Sequence, residues 1–413
     1  MRKLEQALIR EMLPIPLEKA RQQPAWEDQA QLQRARETLA ARPGLVDETD
    51  VSTLRAHLAQ VSAGAAEVVQ AGDCAEDPAE CGPADVARKA AVLDLLAGAL
   101  KLSGCRPVVR VGRIAGQFAK PRSQPTEQLD GEELPVYRGH LVNGPAPRAD
   151  ERRPDPLRLV TGYMAAADIL SSLGWGGSES IERPVWSSHE ALILDYELPL
   201  LRRTSDGGLL LASTHWPWIG ERTRQPDGPH VALLAQVVNP VAVKVGPGVS
   251  PDELRELCAL LDPDRTPGRL TLIVRMGAGH VAERLPKLVE TVRAAGHPVV
   301  WLTDPMHGNT VVTRSGHKTR YVRTLQREVR EFRAVLAQAG AFPGGVHLET
   351  TPDQVTECVL DEWEADRVEK AYTSFCDPRL TVEQAIEVLA AWGEAEPPAT
   401  AASMAAPDQL TEG

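Results

Sequence analysis

Between residues 241 and 348 the chain repeats one pattern: a short, mostly apolar run, then a stretch with helical periodicity. Apolar runs occupy 241–243, 270–274, 298–302 and 345–348. Between them lie a Ser250-Pro251-Asp252-Glu253 capping box that opens a helix, a helical pattern over 281–295 stopped by Gly296, and another over 318–339 stopped by Gly340. Apolar runs without alternation belong to strands buried on both faces, the condition of a parallel sheet flanked by helices. The same reading applies upstream, with strands over 67–72, 107–111, 185–187 and 209–214 and helices over 85–102 and 157–173. Eight strands alternating with helices predict an α/β fold, a (β/α)8 TIM barrel. No glycine-rich dinucleotide fingerprint follows the first strand, which weighs against an open doubly wound sheet. Thr351-Pro352-Asp353-Gln354 and Thr381-Val382-Glu383-Gln384 each predict the cap of a further helix.

The pattern divides the chain into an N-terminal helical extension (1–60), a barrel catalytic domain (61–393) and a disordered tail (394–413) rich in Ala, Pro, Thr and acid. The extension is polar, broken at Pro14, Pro16, Pro24 and Pro43, and offers no chemistry; an interface or covering role is expected. Residues 123–156 are rich in Pro, Gly and charge and are expected to form a long loop. A net charge of -12 argues against a general nucleic-acid or acidic-membrane partner. No apolar run reaches the length of a membrane span, and residues 1–14 are too charged for a secretory signal. Six scattered cysteines fit a reducing, cytoplasmic setting rather than a disulfide scaffold.

Chemistry collects where the strands end, at Cys74, Arg113, His189, Glu221, Lys244, Arg275, His307 and Glu349. The stretch 209–230 is the clearest case, opening from leucines into His215, Trp216, Trp218, Glu221, Arg222, Arg224, Asp227 and His230. Barrel active sites sit at the carboxyl ends of the strands, so these groups are expected to converge on one mouth. Arg113, Arg222, Lys244 and Arg275 form one set, and four cations brought together call for a small, multiply charged anion such as a phosphorylated carboxylate. Cys74, His307, Glu349 and Asp377 form a second, mixed S/N/O set suited to a borderline divalent ion: Mn2+, Co2+, Zn2+ or Fe2+.

Several segments carry a resemblance. They are Ala71-Gly72-Asp73-Cys74-Ala75-Glu76, the run 113–123 (RIAGQFAKPRS), Ser188-His189-Glu190-Ala191-Leu192, and the run 218–224 (WIGERTR). Asn239-Pro240, Lys244-Val245-Gly246-Pro247, Arg275-Met276-Gly277, the run 304–310 (DPMHGNT), His347-Leu348-Glu349 and Cys376-Asp377-Pro378-Arg379-Leu380 complete the series. In these the chain resembles the class II 3-deoxy-D-arabino-heptulosonate 7-phosphate (DAHP) synthases, over about residues 56–389. That family condenses phosphoenolpyruvate with erythrose 4-phosphate. The resemblance implies that Cys74, His307, Glu349 and Asp377 bind the metal, with Mn2+ or Co2+ expected first. It implies that Arg113, Glu221, Arg222, Lys244 and Arg275 surround phosphoenolpyruvate, with Trp218 and Gly220 lining its site. Lys120, Pro121, Arg122 and Ser123 would hold erythrose 4-phosphate, with Lys318 close by. Glu221, Lys244 and His307 are the expected catalytic groups.

Longer members of the family carry extra helices between the second and third strands that bind aromatic amino acids. The segment from Ser123 to Ser188 is too short to hold them, so weak or absent feedback inhibition is expected. Short forms also serve secondary metabolism, which leaves an imino analogue of erythrose 4-phosphate as an alternative acceptor. A barrel that has lost turnover is the rival from another class. A homodimer or homotetramer is expected from family precedent. Cys376 adjoins the expected ligand Asp377, and a Cys74–Cys376 disulfide would take Cys74 from the metal.

Overall fold

The computed structural model describes residues 15–129, 131–176 and 185–393; the expected tail and the first residues of the extension lie outside them. Eight strands close into a parallel barrel in which sequence neighbours are spatial neighbours. They are β1 (Glu67–Gly72), β2 (Val108–Arg113), β3 (Trp186–Glu190), β4 (Trp216–Ile219), β5 (Val241–Val245), β6 (Leu270–Val274), β7 (Val300–Thr303) and β8 (Pro343–Glu349). The barrel closes where β1 pairs with β8, Val68 opposite Gly345 through Gly72 opposite Glu349.

Period-two alternation decides which side chains enter the barrel. Val111, Trp216, Trp218, Ala242, Ile273, Val300 and Leu302 share one buried interior cluster, while Val241, Val243, Leu270, Leu272 and Val274 join the outer core beneath the helices. Two residues further along the same strand faces stand Arg113, Gly220, Lys244, Arg275 and Asp304. The chain's register therefore delivers charge to the carboxyl mouth, above an apolar layer of the barrel interior. At the opposite end, α2 (Glu48–Ser62) inserts Leu54, Leu58 and Val61 into that same interior cluster, closing the floor. Three such aliphatic side chains, at about 1.5–3 kcal/mol each, make the floor helix a substantial part of barrel stability.

Around the barrel run α1 (Gln29–Ala41), α3 (Pro83–Gly104), α4 (Leu157–Ser172), α5 (Pro229–Leu234), α6 (Pro251–Leu261), α7 (His280–Ala294), α8 (Val322–Gln338) and α9 (Val382–Gly393). The Ser250 hydroxyl caps α6 by accepting the Glu253 N–H, and Thr381 and Gln384 exchange two bonds at the start of α9. No described helix is long and apolar enough to cross a membrane.

Four expectations need correction. The fourth barrel strand is Trp216–Ile219, not 209–214: Leu209–Leu211 instead pairs antiparallel with Leu201–Arg203 in a hairpin outside the barrel. No helix follows Thr351, because its hydroxyl accepts the Asp353 N–H in a turn; the next helical element is the 3-10 segment Glu362–Ala371. Lys318 is not helical but lies in a short hairpin, Val311–Val312 against Lys318–Thr319, and α8 begins at Val322. The expected loop over 123–156 contains a hairpin, Thr126–Leu129 with Glu132–Pro135.

Barrel closure depends on a residue without a side chain. Gly345 has φ +146°, and a Cβ there would stand 1.9 Å from the Val68 carbonyl oxygen. Gly345→Ala is expected to destabilise the protein by about 4 kcal/mol or more, through strain and overlap together. A denaturant midpoint close to that of the unmodified protein would contradict this.

Candidate active site

A cavity of about 220 Å³ opens at the carboxyl mouth of the barrel. Its walls include Arg113, Trp218, Gly220, Glu221, Arg222, Lys244 and Arg275, and also Lys120, Pro121, Arg122, Ser123 and Lys318, with His307 and Asp377 among them. Three of the groups expected at the mouth do not line it. Cys74 and Glu349 sit just beyond the wall, the first hydrogen-bonded through its sulfur to the Asp377 N–H at 3.5 Å, the second to Arg113 and Lys120. His189, expected at the mouth, is buried elsewhere, paired with Glu197 at 2.8 Å. Among the described residues the lining carries seven Lys and Arg side chains against three carboxylates, a balance that favours anionic ligands.

Glu349 organises the electrostatics. Fully buried at the end of β8, it faces Arg113 and Lys120 at 2.9 Å through one oxygen and Arg320 at 2.8 Å through the other, with His307 Nε2 at 3.2 Å. Burial alone would raise its carboxyl, yet His307, Lys120, Arg320 and Arg113 hold it well below the ordinary carboxylate range. Asp377 is held down similarly against burial by Lys120, Arg320 and Lys318, and its oxygens meet Lys120 at 3.0 Å and Lys318 at 2.9 Å.

Arg113 is fixed from several sides. It donates to the Asp73 carbonyl at 2.9 Å and to His347 Nε2 at 2.6 Å. Burial and the neighbouring Lys244 and Arg113 charges keep His347 neutral, so its Nδ1–H donates to Gln70 at 2.7 Å. Lys244 meets Asp304 at 2.6 Å. Burial pulls its ammonium down to about 8, with Arg113 and Arg275 adding to the effect and Asp304 opposing it. The Trp218 indole lies beside both cations, 5.3 Å from the Arg113 guanidinium carbon and 5.8 Å from Lys244 Nζ.

His307, Glu349 and Asp377 place one donor atom each within 4.8 Å of one another. Asp304 accepts from His307 Nδ1 at 2.8 Å, which turns Nε2 toward Glu349. Cys74 contributes a thiol pulled down to about 6 by a hydrogen bond from Cys376, with burial opposing and Lys120 assisting. An oriented imidazole, two ionised carboxylates and an adjacent acidified thiol fit a borderline divalent ion.

Two buried carboxylates that the sequence reading passed over shape the loops. Glu76 accepts the N–H groups of Ala115, Gly116 and Gln117 at 3.1, 3.0 and 2.8 Å, holding a tight bend in which Ala115 has φ 61°. Glu328, on α8, accepts the Gly277 N–H at 3.1 Å and binds Asn309, linking the loop after Arg275 to the loop after His307. Arg275 itself donates to the His307 carbonyl at 3.0 Å. Gln117, Glu190 and Thr310 also line the cavity, and Asp304 and Arg320 support it from behind. Of these last five residues all but Arg320 lie inside the segments that carried the family resemblance, which was the signal available for them; Glu328 lies outside them.

The sequence profile of the Class-II DAHP synthetase family matches residues 15–177 and 177–391. A probable phospho-2-dehydro-3-deoxyheptonate aldolase from Pseudomonas fluorescens is 54% identical over 383 residues, covering 92% of this chain and 96% of its own. A phospho-2-dehydro-3-deoxyheptonate aldolase from Streptomyces coelicolor is 39% identical over 420 residues, with 89% and 93% covered. One from Mycolicibacterium smegmatis is 36% identical over 437 residues, with 92% and 93% covered. A profile match that spans the barrel, joined to close similarity along nearly the whole length, places the chain: it belongs to the class II DAHP synthase family.

Proposed function

We propose that this enzyme condenses phosphoenolpyruvate with erythrose 4-phosphate and water to give DAHP and phosphate. The observation that carries the proposal is a single small cavity where seven cations share the walls with His307 and Asp377. Two phosphorylated substrates need that excess of positive charge, and a carbonyl acceptor needs an electrophile beside it.

In this reading Arg113, Lys244, Arg275 and Arg222 hold the phosphate and carboxylate of phosphoenolpyruvate, with Trp218 and Gly220 shaping the pocket. Lys120, Arg122, Ser123 and Lys318, with Pro121, hold the phosphate end of the acceptor. His307, Glu349, Asp377 and Cys74 would bind a divalent ion, Mn2+ or Co2+ first, which when bound supplies Lewis-acid polarisation of the aldehyde oxygen. The methylene carbon of phosphoenolpyruvate attacks the aldehyde carbon, and positive character develops at the enol carbon. Water adds there, positioned by Glu221 and Lys244, and loses one proton while the alkoxide formed from the aldehyde gains one; the resulting phosphohemiketal expels phosphate as its hydroxyl becomes the ketone. The arginines contribute orientation and charge stabilisation rather than proton exchange. Incubating the purified enzyme with both substrates and identifying a seven-carbon 3-deoxy sugar acid phosphate by mass tests the reading. Its absence, with both substrates intact, would overturn it.

Lys244 gives this reading a pH signature. Its ammonium, brought down to about 8 by burial, binds an anion only while protonated. kcat/KM for phosphoenolpyruvate is therefore expected to fall as pH rises above about 8, approaching tenfold per pH unit. A profile that stays flat to about pH 9.5 would remove Lys244 protonation from the account.

The chain is proposed to be a short form without aromatic-amino-acid regulatory helices. The break in the profile match at residue 177, within the segment between β2 and β3, supports this. Trp, Phe and Tyr at about 1 mM, a generous level beside common KM values, are expected to change the steady-state rate by less than about twofold. Strong inhibition by any of them would contradict it. Assembly as a homodimer or homotetramer and a cytoplasmic setting follow from family precedent.

A further inference from the structure

The polar extension, which offered no chemistry in the sequence, reaches the active-site loops. Gln22 and Gln23 each use both ends of the side-chain amide on a loop distant in sequence. Gln22 accepts the Arg122 N–H at 2.9 Å and donates to the Arg122 carbonyl at 3.1 Å. Gln23 accepts the Leu194 N–H at 3.0 Å and donates to the Leu192 carbonyl at 2.8 Å. One glutamine thus holds the loop after β2, the other the loop after β3.

The backbone here is bent to make this fit. Gln22 has φ 61°, a left-handed conformation that a non-glycine residue adopts at a cost. Its carbonyl and that of Gln23 are taken by the Arg138 guanidinium. The Arg138 carbonyl in turn accepts the Lys120 N–H at 2.9 Å. The loop carrying Lys120, Arg122 and Ser123 is therefore pinned at Lys120 by Arg138 and at Arg122 by Gln22, while its side chains face the cavity.

We infer that Gln22 is a positioning residue for acceptor binding, setting the loop of residues 120–123 at the distance the erythrose 4-phosphate phosphate requires. The inference rests on the reading that this loop holds that phosphate. Gln22 touches no substrate; it acts through the Arg122 backbone. Loss of its two neutral hydrogen bonds is expected to raise KM for erythrose 4-phosphate about tenfold. KM for phosphoenolpyruvate, whose proposed ligands lie outside the loop of residues 120–123, should stay within about twofold of the original.

The test is Gln22→Asn in the full-length, metal-loaded enzyme. Asparagine tolerates the left-handed backbone but is one methylene too short to span to Arg122, so folding should be preserved. Steady-state KM values for both substrates are measured together with hydrogen exchange at the Arg122 amide, and Arg122→Ala serves as a reference. The expected result is a selective rise in KM for erythrose 4-phosphate, with faster exchange at Arg122. An unchanged KM for that substrate in Gln22→Asn, beside a raised KM in Arg122→Ala, would overturn the positioning role alone. Equal rises for both substrates would also overturn it, since they signal general damage. No effect in Arg122→Ala would remove the underlying reading of the loop, and the inference with it.

Discussion

Replacing Glu349 with glutamine is expected to lower the stability of the metal-stripped protein by about 3–5 kcal/mol. Glu349 is completely buried and faces Arg113, Lys120, Arg320 and His307. Glutamine fills the same volume but carries no charge, so several buried cations lose their common counter-charge. The cost of removing one partner from such a cluster exceeds what the intact cluster contributes, because the remaining charges stay desolvated. Turnover should fall with it, by about 10³-fold or more, because the same carboxylate is a proposed ligand of the divalent ion. Denaturant unfolding checks the first effect and initial rates at saturating metal check the second. A variant as stable as the original would mean that the cation cluster is balanced by other groups.

Lys244→Met is expected to separate activity from stability. Lys244 is buried beside Asp304, with Arg113 and Arg275 near enough to disfavour its charge. Its ammonium is costly to bury until an anion arrives, and a methionine of similar length removes that cost. Asp304 keeps His307 and the Met306 and His307 N–H groups as donors, so it is not orphaned. Stability should change by less than about 1 kcal/mol, in either direction. kcat/KM for phosphoenolpyruvate should drop about 10²–10³-fold, the scale of losing one charged partner in a desolvated ion pair. Comparable losses in both quantities would make Lys244 a structural residue rather than a binding one.

The contrast between these residues explains what the sequence could tell. Lys244, Arg275 and Arg113 were legible because each stands two positions beyond an inward apolar residue, and strand periodicity carries that information locally. Strand β4 was misread because Leu209–Leu211 is the more aliphatic run, whereas Trp216–Ile219 contains Pro217, which argues against a central strand. It works here because the strand is short and its two tryptophans fill the barrel interior. Thr351 looked like a helix cap, but whether a hydroxyl closes a turn or starts a helix depends on what the following residues can pack against. Gln22, Glu76 and Glu328 gave no sign of their loop-holding roles, for a different reason. Each is a polar residue of ordinary appearance whose partners are backbone groups of remote loops, and no local pattern announces such bonds.

Whether one cavity at the barrel mouth joins two phosphorylated substrates with the help of a divalent ion is the decisive question. Phosphate release answers it most directly, using metal-stripped enzyme given phosphoenolpyruvate and erythrose 4-phosphate, each alone and together, before and after Mn2+ or Co2+ is restored. Release is expected only with both substrates and the metal present. Phosphate released from phosphoenolpyruvate alone, or at full rate without metal, would contradict it.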